Sequence, residues 1–286
     1  MKQIVLGKSV QGASHIRNGM ECQDSCKRMI LDDGTILLAV ADGHGSKSCP
    51  YSKTGSRIAV NVFCNIVKGL YESYTDNPEC LPTYLNREGD IGVAKAIDAE
   101  WKKRVIERHR KNKREIKRQE NGADNLNDVY QQYGTTLLGM MITKGFVFGF
   151  QLGDGDICYV NPEGIERVIE PEKILGVETH SLSREKSWEK AITVVRRIDV
   201  QEQLPALFTL STDGYANSYK SETDFKQAIA DYFELLNQHG TKAVEDALPG
   251  WLSETSEMGC GDDITMLMAY FSADANFNLP RDTGVR

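Results

Sequence analysis

The chain has 286 residues, 40% of them hydrophobic, and a formal net charge of −7. That length can bury a large core without forcing a second domain, and the acidic balance argues against a nucleic-acid binder. No apolar run approaches the roughly 20 residues that cross a bilayer, and Ile4-Val5-Leu6 is too short for a signal-peptide core, so a cytoplasmic protein with no membrane partner is expected.

In chain order, Thr35 to Val40 is short, continuous and apolar, as a central strand is. After a loop at Asp42, Lys53 to Leu70 reads as a helix, with Ala59, Val62, Phe63, Ile66 and Leu70 at spacings of three and four. Ile97, Trp101 and Val105 continue the logic in a narrower stripe, which Ile116 rejoins. The spacing predicts a charged helical segment at about 95–120, docked along one edge. Ten basic residues lie between Lys102 and Arg118; they read as a solvated helix face or as a surface for an acidic partner. Glu120 to Asp128 is a loop.

From Tyr133 the signal changes to strands. Thr135–Ile142 and Phe146–Leu152, joined by Thr143-Lys144-Gly145, read as a hairpin. Ile157–Val160 adds a strand before the turn Asn161-Pro162-Glu163-Gly164. Later strands are expected at Ile192–Arg197, Leu207–Ser211 and Ile264–Phe271, with amphipathic helices near Phe225–Leu236 and Val244–Leu252. Hairpins and helices in blocks predict antiparallel sheets covered by helices. A single domain over 1–272 and a fraying polar tail over 273–286 are expected.

Four acidic segments punctuate this pattern: Asp42-Gly43-His44-Gly45, Gly153-Asp154-Gly155-Asp156, Ser211-Thr212-Asp213-Gly214 and Gly261-Asp262-Asp263. Three follow directly on a strand. Carboxylates brought together there repel one another unless a cation sits among them, and all-oxygen ligands select Mg²⁺, Mn²⁺ or Ca²⁺. A helix-loop-helix calcium site is excluded, because Ile165 stands where the closing Glu belongs. Two metals bridged by a carboxylate suit in-line displacement at phosphorus. His44, between two glycines beside a ligand, is placed to protonate a leaving alkoxide. Taken singly, each Asp-Gly is an ordinary turn former; Asp156 and Asp263 read as solvated neighbours of the ligands.

The seven cysteines are scattered and read as free thiols. Cys22, Cys26, His44 and Cys49 match no ordinary zinc spacing. Cys22 and Arg28 have the separation used by cysteine-dependent phosphatases, but Asp24 inside such a loop would repel phosphate.

The acidic segments, with Gly134-Thr135-Thr136 between the first two, resemble in order the motifs of the metal-dependent Ser/Thr protein phosphatases (type 2C, PPM), most of all a bacterial branch. The resemblance runs from about Gly12 to Phe271. It implies an α+β fold, a four-layer α-β-β-α sandwich of two mainly antiparallel sheets with helices on both outer faces. It implies two or three Mg²⁺ or Mn²⁺ ions and a metal-bridging water that attacks phosphoserine or phosphothreonine. Asp42 matches the bridging ligand, Gly43 a carbonyl donor, Asp213 and Asp262 the carboxylates completing one site, Asp154 a ligand of a further metal, and His44 the general acid. Expected partners are a phosphorylated protein and a cognate Ser/Thr kinase, and the chain is expected to act as a monomer.

Two departures from the family pattern stand out. Gln23-Asp24 occupies a position where Glu-Asp is frequent; a neutral amide contributes no charge, so the second metal is expected to bind through water or with Asp24 helping indirectly. The phosphate-holding Arg is replaced by Gly19, with Arg17 two residues earlier as its substitute. These departures are what would support a catalytically weakened member serving as a phosphoprotein-binding or regulatory module. The retained Asp42, Asp213, Asp262 and His44 argue against that alternative. The stretch Glu163 to Lys190 corresponds to a variable substrate-facing flap.

Overall fold

The run Ile36–Ala41 shows why the central strands of this chain are largely apolar. Leu37, Ala39 and Ala41 face a helical layer, Ile36, Leu38 and Val40 face a second sheet, and all six are fully buried. A strand covered on both sides loses the polar alternation of a half-solvated one. The computed structural model describes residues 2–170, 179–198, 200 and 202–273. Residues 171–178 of the expected flap and nearly all of the expected tail, 274–286, lie outside the described residues.

One sheet has the order β1 (Lys2–Val10), β10 (Ile264–Ser272), β9 (Ala206–Ser211), β6 (Asp156–Asn161) and β7 (Gly164–Ile169). The other runs β2 (Ser25–Ile30), β3 (Ile36–Ala41), β4 (Leu137–Ile142), β5 (Val147–Leu152) and β8 (Ile192–Arg196). Every pairing among these strands is antiparallel. Leu38, Met140, Phe208 and Leu267 meet in the core between the sheets.

Helices α2 (Ser52–Ser73) and α4 (Ala94–Lys111) cover the outer face of the second sheet, with Phe63 and Trp101 packed in one cluster with Phe148 and Phe150. Helix α7 (Glu222–Met258) covers the first, through Phe225, Leu236 and Leu248 against Leu6 and Met268. Shorter helices are α1 (Ala13–Arg17), α3 (Cys80–Glu88), α5 (Leu126–Gln131) and α6 (Asp213–Ala216). The molecule is thus the four-layer α-β-β-α sandwich expected.

Two details differ from the sequence reading. The charged helix stops at Lys111 rather than running to 120, because Lys113 turns into the left-handed region at φ 54° and Arg114 lays its guanidinium 3.2 Å from the centre of the Tyr51 ring. Ile116 still packs on the same core, from a loop. The two expected C-terminal helices are both present within Glu222–Met258, separated at Gly240, whose φ of 78° suits glycine. Residues 164–169, read as part of the variable stretch, pair with β6 as strand β7.

Helix α2 lies unusually close to the second sheet. A Cβ at Gly55 would fall 1.9 Å from the Tyr133 carbonyl oxygen. Trp101 clamps the same turn by donating its indole N–H to the Gly55 carbonyl at 3.0 Å. The start of α2 is therefore fixed against the residues that lead into β4, and both segments border the acidic loops.

Candidate active site

Beyond Val40 the β3–β4 pairing continues by irregular bonds that hold the Asp42 turn. The Asp42 N–H donates to Thr136 Oγ1 at 3.0 Å, the Thr136 N–H to the Asp42 carbonyl at 2.8 Å, and Thr135 Oγ1 to that carbonyl at 2.7 Å. The His44 N–H donates to the Gly134 carbonyl at 3.1 Å. Gly134-Thr135-Thr136 is thus the brace of the Asp42–His44 turn, a role its sequence did not disclose. Close approach explains the glycines: a Cβ on Gly43 would sit 2.7 Å from the Gln23 carbonyl oxygen, and one on Gly134 2.7 Å from His44 Cδ2.

Four carboxylates from four separate segments converge. Asp24 immediately precedes β2, Asp42 follows β3, Asp213 opens α6, and Asp262 lies in the turn before β10. The Asp42 carboxyl is held well above the usual carboxylate range by burial and by the charges of Asp24, Asp213 and Asp262. Asp24 is 6% exposed, accepts from Thr212 Oγ1 at 2.8 Å, and is pushed up to about 7, chiefly by burial. Asp213 is also pushed up to about 7, by burial and then by Asp154 and Asp262. Asp154, in the loop before β6, accepts from Thr179 Oγ1 at 2.8 Å. Arg17 is exposed on α1, with no ion pair or side-chain hydrogen bond among the described residues.

These donors fit a hard divalent cation. Asp24 Oδ1 and Gln23 Oε1 are buried with no hydrogen-bond donor, and the Gln23 oxygen is packed beside Gly45. Among the described residues no three His, Cys, Asp or Glu side chains form a preassembled ligand cage. The carboxylates are nevertheless near enough to repel one another, and a cation among them removes that cost.

This arrangement sets the sign of a pH effect. Asp24 and Asp213 titrate near 7 in the folded chain against an ordinary 3.8, so the folded state binds more protons than the unfolded one between these values. Their stabilisation is complete in acid and is lost as pH rises from about 4 through about 7. Metal-free protein in EDTA is expected to unfold at lower urea concentration at pH 8 than at pH 5.5, and saturating Mn²⁺ to reverse the order. A metal-free midpoint that rises with pH would contradict the crowded-carboxylate description.

Two residues read as solvated neighbours are neither. Asp263 is 3% exposed and accepts from the Gly12 and Gln23 amides at 2.7 Å each, tying the N-terminal segment to the β10 turn. Asp156 is 1% exposed and pairs with Arg167 Nε at 2.6 Å, and Arg167 in turn clasps Glu222. His15, which the sequence reading passed over, has Nδ1 2.9 Å from Asp263 and Nε2 3.5 Å from Asp262. Its sequence offers no signal, since its partners lie almost 250 positions away. The Cys22 thiol is pushed up to about 12, first by burial and then by Asp263 and Asp24, so it is no nucleophile. His44 is shifted downward by burial, while the nearby Asp154 carboxylate pulls it back up.

The fold recurs in known proteins. Solved structures similar to this one include a bacterial serine phosphatase (13% identity, 96% of this chain and 99% of that one, TM-score 0.60) and the Streptococcus agalactiae (S. agalactiae) serine/threonine phosphatase (14%, 95% and 100%, TM-score 0.57). A third is the catalytic domain of the serine/threonine phosphatase PstP in complex with two manganese ions (15%, 94% and 98%, TM-score 0.55). At such identities the likeness establishes the fold alone. No curated protein sequence matches the chain. The family model described as protein phosphatase 2C matches residues 11–253, which take in His15, Asp24, the Asp42–His44 turn with its Gly134-Thr135-Thr136 brace, Asp154 and Asp213. The chain belongs to the protein phosphatase 2C family.

Proposed function

We propose that the chain is a protein serine/threonine phosphatase that hydrolyses phosphoserine or phosphothreonine at a two-metal Mg²⁺ or Mn²⁺ carboxylate site. The observation that carries this reading is the half-buried Asp42 carboxyl, repelled at once by Asp24, Asp213 and Asp262. A binding-only module gains nothing from keeping such a set, and the repulsion lowers its stability. When bound, the two cations supply positive charge to the phosphate oxygens and lower the pKa of coordinated water.

Asp42, with the Gly43 carbonyl beside it, would be the ligand common to both cations. Asp213 and Asp262 would help hold one of them. Asp24 and the neutral Gln23 Oε1 would help hold the other, so Gln23 would still offer an oxygen where a Glu is frequent. Asp154 would hold a further, weaker ion. His44 passes a proton from its imidazole to the departing Ser or Thr oxygen. Arg17, exposed and without an ion pair, orients the substrate phosphate. The partners are a phosphorylated protein and the kinase that made it.

Hydrolysis of a phosphothreonine peptide with Mn²⁺, against the same assay in EDTA, tests the reading. Turnover is expected to fall by about 10³-fold or more without the cation; equal turnover in both would overturn it.

A further inference from the structure

Ten of the chain's 34 lysines and arginines lie between Lys102 and Arg118, against Glu107 and Glu115 in the same stretch, in a protein of net charge −7. Several are committed within the molecule: Lys102 to Asp98, Arg104 to Glu100, Arg110 to Asp124 and Lys117 to Asp128. Arg108, Lys111, Lys113 and Arg118 have no ion pair among the described residues, and the last three are exposed.

This cluster is held in a fixed elbow at the end of α4. The Asn112, Lys113 and Arg114 amides donate to the carbonyls of Arg108, Arg110 and His109 at 3.1, 2.9 and 3.2 Å. His109, 1% exposed, places Nε2 3.0 Å from the Glu115 carbonyl oxygen. Arg114 then pins the elbow: its guanidinium lies on the Tyr51 ring and donates to the Tyr133 hydroxyl. Both anchors adjoin the site. Tyr51 precedes Ser52, whose carbonyl group lies 2.9 Å from where a Gly43 Cβ would be, and Tyr133 precedes Gly134, the acceptor of the His44 amide. The elbow that carries the unpaired cations is therefore anchored on two residues, Tyr51 and Tyr133, that adjoin the partners of the Asp42–His44 turn.

We propose that this elbow is a docking surface for acidic residues flanking the phosphorylated residue of a protein substrate. The inference rests on the phosphatase reading and names a substrate class for the same site. Charge complementarity carries it: a phosphopeptide approaching an acidic protein is repelled except where a local positive field draws it in. Lys111, Lys113 and Arg118 supply that field next to the catalytic turn, while Glu107 and Glu115 offset only part of it.

The test compares phosphothreonine peptides identical but for Asp or Lys flanks, on wild type and on the double variant Lys111→Glu/Lys113→Glu. Wild type should favour the Asp-flanked peptide by about tenfold in kcat/KM, mainly through KM, and less at high salt. The double variant should lose or invert that preference and hydrolyse p-nitrophenyl phosphate at the wild-type rate. Equal use of both peptides by wild type, or a preference that survives the double variant, overturns the proposal. Should neither peptide be hydrolysed, the phosphatase reading fails, and fluorescence anisotropy with the same labelled peptides still decides the docking. There, about tenfold weaker binding of the Asp-flanked peptide by the double variant supports the surface, and unchanged binding refutes it.

Discussion

Asp42→Asn is expected to cut kcat/KM on a phosphothreonine peptide by about 10³-fold or more with saturating Mn²⁺, equivalent to about 4 kcal/mol of transition-state stabilisation. The same substitution is expected to make the metal-free protein more stable. The two effects have one cause. Asp42 is half-buried, and desolvation together with three neighbouring carboxylates holds it well above its ordinary pKa, so without a cation its ionised form is a burden on the fold. The amide keeps the shape and removes the charge, relieving about 1–3 kcal/mol at pH 8. On the proposed two-metal reading, that charge would be shared by both cations, and its loss would weaken both sites. Asp213→Asn should move both quantities in the same directions. Urea titrations in EDTA and steady-state kinetics in Mn²⁺ check the pair. Retained activity would remove Asp42 from the metal site, and a less stable metal-free variant would show that its carboxylate serves an ordinary structural bond.

Much of the fold was legible because burial on both faces makes strands such as β3, β4, β9 and β10 continuous apolar runs. The edges were not. β1 and β2 lie at sheet ends; β2, Ser-Cys-Lys-Arg-Met-Ile, is half-buried and half-exposed along its length, and its polar residues hide the strand. The end of α4 was overrun because Lys, Arg and Glu are all good helix formers and place no stop before the tertiary contact of Arg114 with Tyr51. At the site, Asp42, Asp154, Asp213 and Asp262 could be picked out because each sits beside a glycine that allows close approach, whereas Asp24, between Gln23 and Ser25, has no such neighbour. Asp263 and Asp156 belong to the same acidic segments as Asp262 and Asp154, yet their partners, the Gly12 amide and Arg167, are fixed only by the folded chain. Adjacent acidic residues thus looked alike in sequence while serving different ends.

His44→Ala is the sharper test of mechanism, because its effect should depend on the leaving group. A departing serine or threonine alkoxide is strongly basic and needs a proton as the P–O bond breaks, whereas p-nitrophenolate leaves as a stable anion. Removing a general acid should therefore cost about 10²–10³-fold in kcat on a phosphothreonine peptide and less than about tenfold on p-nitrophenyl phosphate. The turn bearing His44 is held by backbone bonds to Gly134 and Thr136, which the substitution leaves in place, so Mn²⁺ affinity should change little. The pH profile carries a second signature. Burial lowers the imidazole pKa and Asp154 opposes that shift, so the protonated fraction falls as pH rises. Wild-type kcat on the peptide should accordingly decline on the alkaline side, and that limb should disappear in His44→Ala. Equal losses on both substrates would instead place His44 among the groups that position phosphate or metal, since only proton delivery distinguishes the two leaving groups.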